Sequence, residues 1–400
     1  MDKSSFFKGI TRNIIIVGLI SLFTDISSEM VFPLIPLYLV FLGGGGFVVA
    51  LVEGAAETTA SLLKVFSGYW SDKFNKRKHF VFAGYGLSTI TKPLFVIANS
   101  WPIVLFVRVL ERVGKGIRTA PRDAIIAESC DSCVRGKGYG FHRAMDSIGA
   151  IIGATMAFIL FPIFGFKNIF LYAFIPGIIA VICILFIKEK QGMNECKKKK
   201  HLSMKISFKQ LPLNLKLFIL VSTVFTIGNF GYAFLMLRTK MDFSNDTAIL
   251  FYLLFLIFST LLSIPAGILS DKIGRKPVIV TGYFLFALIC VFLLLYSTFY
   301  VLILCFILYG VFSAMIEGVQ RAFVVDLAPS YLKATALGTF HTATGLVALP
   351  GGLIGGIIWD KISPEGTFLY GLIFTLTSIV LFIFIKNIKK PNFKDTVLQH

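Results

Sequence analysis

The tract Gly-Tyr-Trp-Ser-Asp-Lys at residues 68–73 returns as Gly-Ile-Leu-Ser-Asp-Lys at residues 267–272, 199 residues later, each time where a long apolar segment runs into basic residues. The same offset relates Arg122 to Arg321, and Phe141-His142-Arg143-Ala144 to Phe340-His341-Thr342-Ala343. Three separated landmarks in one register mark an internal duplication, so the chain is expected to fold as two similar halves. Halves of this kind, when built from membrane-crossing helices, form a common transporter plan with the substrate site between them near the bilayer midplane.

The medium is set by composition. Of 400 residues, 56% are hydrophobic and 42 are Phe, against an apolar share of about 45–50% in soluble domains. Apolar stretches of about 20 residues, enough to cross a bilayer as helix, start near residues 13, 47, 79, 102, 138 and 167, and again near 214, 247, 277, 300, 334 and 366. The expected fold is an all-α integral membrane protein of twelve transmembrane helices in two pseudo-symmetric six-helix bundles, residues 1–187 and 214–400. The polar segment 188–213, with Lys197 to Lys200, would be the linker between them.

The net charge of +18 does not point to nucleic acid. Lys and Arg collect in alternate connections, as the positive-inside rule requires: Lys3, Lys8 and Arg12, then Lys73 to Lys78, the linker, Lys272 to Lys276, and the tail. Both termini are therefore expected on the cytoplasmic side of the cell membrane. The first apolar segment contains Asp25 and Glu29 and lacks a small-residue cleavage site, so it reads as a retained span rather than a signal peptide. Cys130-x-x-Cys133 has no second pair and no His at ligand spacing, which makes it an incidental loop pair.

The two Gly-x-x-x-Asp-Lys tracts, followed by Lys76-Arg77-Lys78 and Gly274-Arg275-Lys276, resemble the loop motif of the major facilitator superfamily, which joins helices 2 and 3 and helices 8 and 9. The resemblance extends over essentially the whole chain. It implies a conformational latch carried by Gly68, Asp72, Lys73 and Arg77, and by Gly267, Asp271, Lys272 and Arg275. The first copy departs from the pattern with Asn75 where Gly is usual. Arg112 to Gly116 is similar to the superfamily's Arg-x-x-x-Gly motif, whose Arg is associated with proton-coupled antiport. Gly149-x-x-x-Gly153 lacks the Pro expected of exporters, whereas Leu349-Pro350-Gly351-Gly352 is a closer echo of it. The resemblance also implies a monomer that needs no cofactor.

Ionisable residues inside spans cost about 2.5–3.5 kcal/mol on insertion scales and usually face an interior cavity. In span 4, Arg108, Arg112, Lys115, Arg118 and Arg122 share one helical face, with Glu111 beside it. The acids able to answer them are Asp25 and Glu29 in span 1 and Glu53 and Glu57 in span 2. A carboxyl that trades a dry environment for one beside Arg changes its proton affinity, which suits Asp25, Glu29, Glu57, Arg108, Glu111 and Arg112 to proton coupling. Secondary candidates are Arg122, His142, Asp146, Glu317 and Arg321. The second half is otherwise apolar and is expected to supply an apolar wall, with Asn229 the main polar group of span 7.

The leading expectation is alternating-access transport of a small solute, with proton-coupled export of a small organic molecule as its specific form. One alternative is a carrier of an organic anion or metal chelate, bound on the span 4 cations at Arg108. Another is a metal-ion permease using Asp25, Glu29, Glu57 and a His. Outside transport stands a membrane receptor. No metalloprotease, nucleophile-elbow or phosphate-loop pattern is present, so an enzyme is not expected.

Overall fold

Gly274, held at φ 103°, lies between two long helices, because that backbone region is closed to residues with a Cβ. Gly165 does the same work inside an unbroken run of helical hydrogen bonding: its φ of 66° and ψ of −175° divide the segment Arg135–Tyr172 into two helices. The computed structural model describes residues 11–74, 77–129, 135–187, 211–329 and 332–385. Among these the chain is helical throughout, with no strand.

The helices are α1 (Arg12–Glu29), α2 (Leu34–Phe41), α3 (Gly46–Phe74), α4 (Arg77–Leu94), α5 (Trp101–Glu128), α6 (Arg135–Tyr172), α7 (Phe174–Leu185), α8 (Leu213–Gly228), α9 (Gly231–Asp242), α10 (Asn245–Ile273), α11 (Arg275–Leu295), α12 (Phe299–Leu327), α13 (Lys333–Lys361) and α14 (Pro364–Phe382). Among the described residues, ten stretches are long and apolar enough to cross a membrane. One of them, Lys137–Leu185, holds the Gly165 break and so two passes, and α5 falls outside the ten because of its charges. This pattern is consistent with twelve spans. Spans 1 and 7 are each broken, at Met30–Pro33 and at Asn229–Phe230, where the Asn229 side chain accepts a 3.1 Å bond from the Gly231 amide. The prominent polar group of span 7 is thus a turn former.

The helices before Leu185 pack chiefly on one another, as do those after Leu213, and the two groups meet along two seams, α3 against α13 and α6 against α10. The first seam is close because small residues line it. A Cβ on Gly345 would meet Ser61, one on Gly54 would meet the Leu349 backbone, and one on Gly356 would meet the Gly46 carbonyl. At its far end the Asp360 carboxylate accepts bonds from the amides of Gly46 and Phe47, at 2.7 and 2.9 Å. A side chain of one half thereby caps the first turn of a helix in the other. The tract Gly149-x-x-x-Gly153 also packs closely, pressing α6 on α1 at Leu22 and Ile26, and Gly351 approaches the Ile227 carbonyl.

Equivalent ties hold each half together at the basic-loop end. Arg77 pairs with Glu128 as Arg275 pairs with Asp326. Lys78 donates to the Leu185 and Ile187 carbonyls at 2.8 Å, and Lys276 donates to the Ile385 carbonyl at 2.6 Å. Cations satisfy the open carbonyls at a helix C-terminus in both cases.

Candidate functional site

The span 4 stripe does not act as one surface. Its upper member, Arg108, is fully buried and donates to Glu111 at 2.6 Å and to Glu53 at 3.0 Å. Glu111 also accepts from Lys92 at 3.3 Å, and Lys92 reaches Ser28 at 3.2 Å. Phe32 lies under the Arg108 guanidinium, 4.3 Å from its centre. The network joins spans 1 to 4. Glu53, one of the four acids expected to answer the stripe, and Glu111 occupy Arg108, which overturns the expectation that Arg108 forms an anion-binding surface. Arg118 turns instead to the Tyr85 ring, at 4.2 Å, and Arg122 to Asp123 at 2.9 Å.

The remaining members differ. Arg112 stacks on Phe32 at 4.9 Å, its Nε is buried without a partner, and it has no ion pair among the described residues. Lys115 likewise has none. Gly116 allows this placement, because a Cβ there would strike Leu63, and its carbonyl accepts from Ser67 at 2.8 Å. The Arg-x-x-x-Gly spacing therefore sets the approach of spans 2 and 4 below Arg112.

Among the acids, Glu29 accepts from Tyr252 of the other half at 2.7 Å, with Lys115, Arg112 and Arg108 within electrostatic reach. Asp25 has neither hydrogen bond nor ion pair among the described residues, and Lys115, Arg118 and Arg122 stand within electrostatic reach of it. Asp146 accepts from Ser21, joining spans 1 and 5, and lies 3.7 Å from His142 Nδ1 on its own helix. Glu57 accepts from Ser61 at 3.3 Å and faces a cavity of about 240 Å³. No group of three or more metal-ligating residues that could hold a metal ion occurs among the described residues.

That cavity corrects the expected apolar wall. Its second-half lining includes Thr226, Glu317, Gln320, Arg321, His341 and Thr344. Repeat-equivalent His142 and His341 are thus used differently, one packed beside Asp146 and the other at the cavity. Arg143 meets Glu317 across the halves at 3.5 Å, both largely exposed, a pairing worth little in itself.

In the loop motifs, Arg275 bonds Asp271 at 2.6 Å and Asp326 at 3.2 Å, within one half. Gly68 sits 3.3 Å, measured from its would-be Cβ, from Ala120, while Gly267 has open space, so only the first copy needs glycine for packing. Lys272 is exposed. The side chains of Asp72 and Lys73 lie outside the described residues, as do Asn75, Lys76, Cys130, Cys133 and the segment 188–210.

The sequence reading missed Lys64, Lys92, Tyr252 and Asp360. Lys64 completes a polar i, i+4, i+7 face with Glu57 and Ser61, and Lys92 is a single cation in an apolar span, so both were visible as patterns. Tyr252, inside the run Ile249 to Leu256, carries no such signal.

The model of the Major Facilitator Superfamily matches residues 17–239 and 217–399. An uncharacterized MFS-type transporter of Methanocaldococcus jannaschii is 43% identical over 94% of this chain and 95% of its own length. The cis,cis-muconate transport protein of Acinetobacter baylyi is 23% identical over 80% of this chain and 81% of its own. The crystal structure of the nucleoside transporter NupG superposes with a TM-score of 0.73 at 17% identity, covering 93% of this chain and 98% of that one. With twofold repeat, paired seams and a polar cavity between the halves, the chain belongs to the Major Facilitator Superfamily and is one of its multi-pass membrane transporters, not an enzyme.

Proposed function

We propose that the protein exports a small organic molecule from the cytoplasm in exchange for protons, by rocking its two halves about the cavity. The observation that carries this reading is Asp25. It is an intramembrane carboxyl left out of every hydrogen bond and ion pair among the described residues, within reach of Lys115, Arg118 and Arg122. A group so placed can take or release a proton without breaking the structural network at Glu111, and intramembrane carboxyls of this kind serve as proton relays. The seam closed by Asp360 and the cavity on the side of the basic loops fit a state open to the cytoplasm, with residues 1–187 and 214–400 as the moving bodies and a monomer as the working unit.

The test is proton movement in liposomes containing the purified protein, on addition of cationic dyes, dicarboxylates or citrate chelates under an imposed pH gradient. Asp25→Asn is expected to abolish solute-driven proton movement while the protein remains folded. No flux of any of these solutes responding to the gradient would sink the reading. A second reading, organic-anion carriage without protons, is favoured by the unpaired Arg112 and by the name of the Acinetobacter relative. It predicts flux indifferent to Asp25→Asn.

A further inference from the structure

The duplication gives two equivalent arginines different company. In the first copy Arg122 bonds Asp123 at 2.9 Å, and Asp146 stands within its electrostatic reach. At the offset of 199 residues these positions become Arg321, Ala322 and Gly345, so the arginine is kept and both acids are gone. Arg321 accordingly has no hydrogen bond or ion pair among the described residues, and it lines the cavity. One turn earlier on α12 the repeat reverses sign, with Glu317 where the first copy has Arg118. Glu317 lines the same cavity, at the spacing from Arg321 where helix ion pairs commonly form. Asp271 and Arg275 close at that spacing, at 2.6 Å, and Arg238 and Asp242 at 2.8 Å. Glu317 is instead held by Ser313, one turn further back, which donates to it at 3.1 Å, and is approached by Arg143 of the other half at 3.5 Å.

One wall of the cavity thus carries a negative and a positive pole about 6 Å apart along the helix axis. A solute with a single charge satisfies one pole and leaves the other; a solute with both signs makes a charge-assisted bond at each, and the Arg fork matches a carboxylate in particular. The Arg143 contact does not block the negative pole, because both side chains are more than half exposed, at 61% and 53%, and such pairs are readily replaced. Glu57, across the cavity, is a poorer seat for an ammonium group: it accepts from Ser61 at 3.3 Å and already has Arg112, Lys64 and Lys115 within electrostatic reach. Lys64 is within reach of Arg321 as well and adds to the positive end. Ile316, Phe340 and Ala348 supply apolar lining, and at about 240 Å³ the space holds about eight waters, room for a short-chain solute.

We propose that Arg321 and Glu317 are the two poles of the substrate site, and that the substrate is a small zwitterion, an amino-acid-like molecule whose carboxylate is held by Arg321 and whose ammonium group is held by Glu317. This rests on the transport reading above and supplies its substrate class. Both poles belong to one helix, so the solute keeps its anchors whichever way the two halves rock.

The experiment is thermal unfolding of the purified detergent-solubilised protein, titrated at matched ionic strength with a five-carbon series: norvaline and 5-aminovalerate, which carry both charges, valerate, which carries only the carboxylate, and pentylamine, which carries only the ammonium group. At least one of the zwitterions should raise the midpoint saturably, with an affinity about tenfold or more above those of valerate and pentylamine. Preference for norvaline would assign adjacent charges to the substrate, and preference for 5-aminovalerate separated ones. Arg321→Gln should bring the zwitterion down to the affinity of pentylamine, and Glu317→Gln should bring it down to that of valerate, equalities that a merely structural role would not produce. Ala322→Asp, which gives Arg321 the neighbour that Arg122 has, should weaken zwitterion binding by about tenfold and leave the unliganded midpoint unchanged. The proposal is overturned if neither zwitterion binds, if valerate or pentylamine binds as tightly as they do, or if binding survives Arg321→Gln, with Ala322→Asp deciding should that variant not fold. Zwitterion binding without proton movement in liposomes would keep this site and remove proton-coupled export. Asp25-dependent proton movement driven only by singly charged solutes would do the reverse.

Discussion

Glu111→Ala is expected to destabilise the protein by about 3–5 kcal/mol, the range for removing one partner of a buried ion pair, because it strips the counter-charge from both Lys92 and Arg108. Each of those cations is fully buried, and Glu53 alone cannot serve both. The measurement is the unfolding midpoint in detergent, followed by tryptophan fluorescence. Lys92→Met should cost less, since Glu111 would keep Arg108 at 2.6 Å. A Glu111→Ala midpoint equal to that of the wild type would show that water enters the site and that the network is not structural. The same comparison separates scaffold from machinery, because a destabilised scaffold lowers transport of every solute alike.

The second large effect is expected at the first turn of α3, about 10 Å along that helix from Glu53. Gly356→Val would place a side chain where a Cβ alone comes within 2.7 Å of the Gly46 carbonyl. Backbone cannot yield as a flexible side chain can, so α3 and α13 must separate there. Nitroxide labels at exposed Phe41 and Ile362, one in each half, should report a longer and broader distance distribution. Asp360→Ala removes the cross-half cap and should act in the same direction more gently. A helix cap is worth about 1 kcal/mol, enough to change the ratio of two states about fivefold. Unchanged distances in Gly356→Val would mean that this end of the seam stays fixed during the cycle.

Much of this architecture could be read directly from residues. Span positions followed from hydropathy because lipid allows only helices with satisfied backbones, and the observed helices begin within three residues of the expected starts. The exceptions are instructive. The breaks in spans 1 and 7 depend on Pro33 and on the Asn229 side chain, whose local bonds leave no mark on an apolar average. Within the site, sequence spacing put Asp25, Glu57 and Arg112 inside the membrane, but helical periodicity alone could not decide which cation meets which acid. Arg108 and Arg112 are one turn apart, yet Glu53 and Glu111 engage the first while the second has no ion pair among the described residues. Cross-half partners such as Tyr252 for Glu29 and the Gly46 amide for Asp360 were hidden for the same reason: they depend on how two bodies dock, which no one-dimensional pattern contains.

Lys78 and Lys276 carry a consequence for biosynthesis. Each binds a carbonyl just past the last helix of its own half, at Ile187 and Ile385, so the clasp cannot form until that helix has been synthesised. The first six spans then possess everything needed to fasten themselves before the seventh leaves the ribosome. A gene cut within the segment 188–210 would still encode two products that each hold both parts of their clasp, and the two polypeptides, made separately, would be equipped to assemble into one carrier.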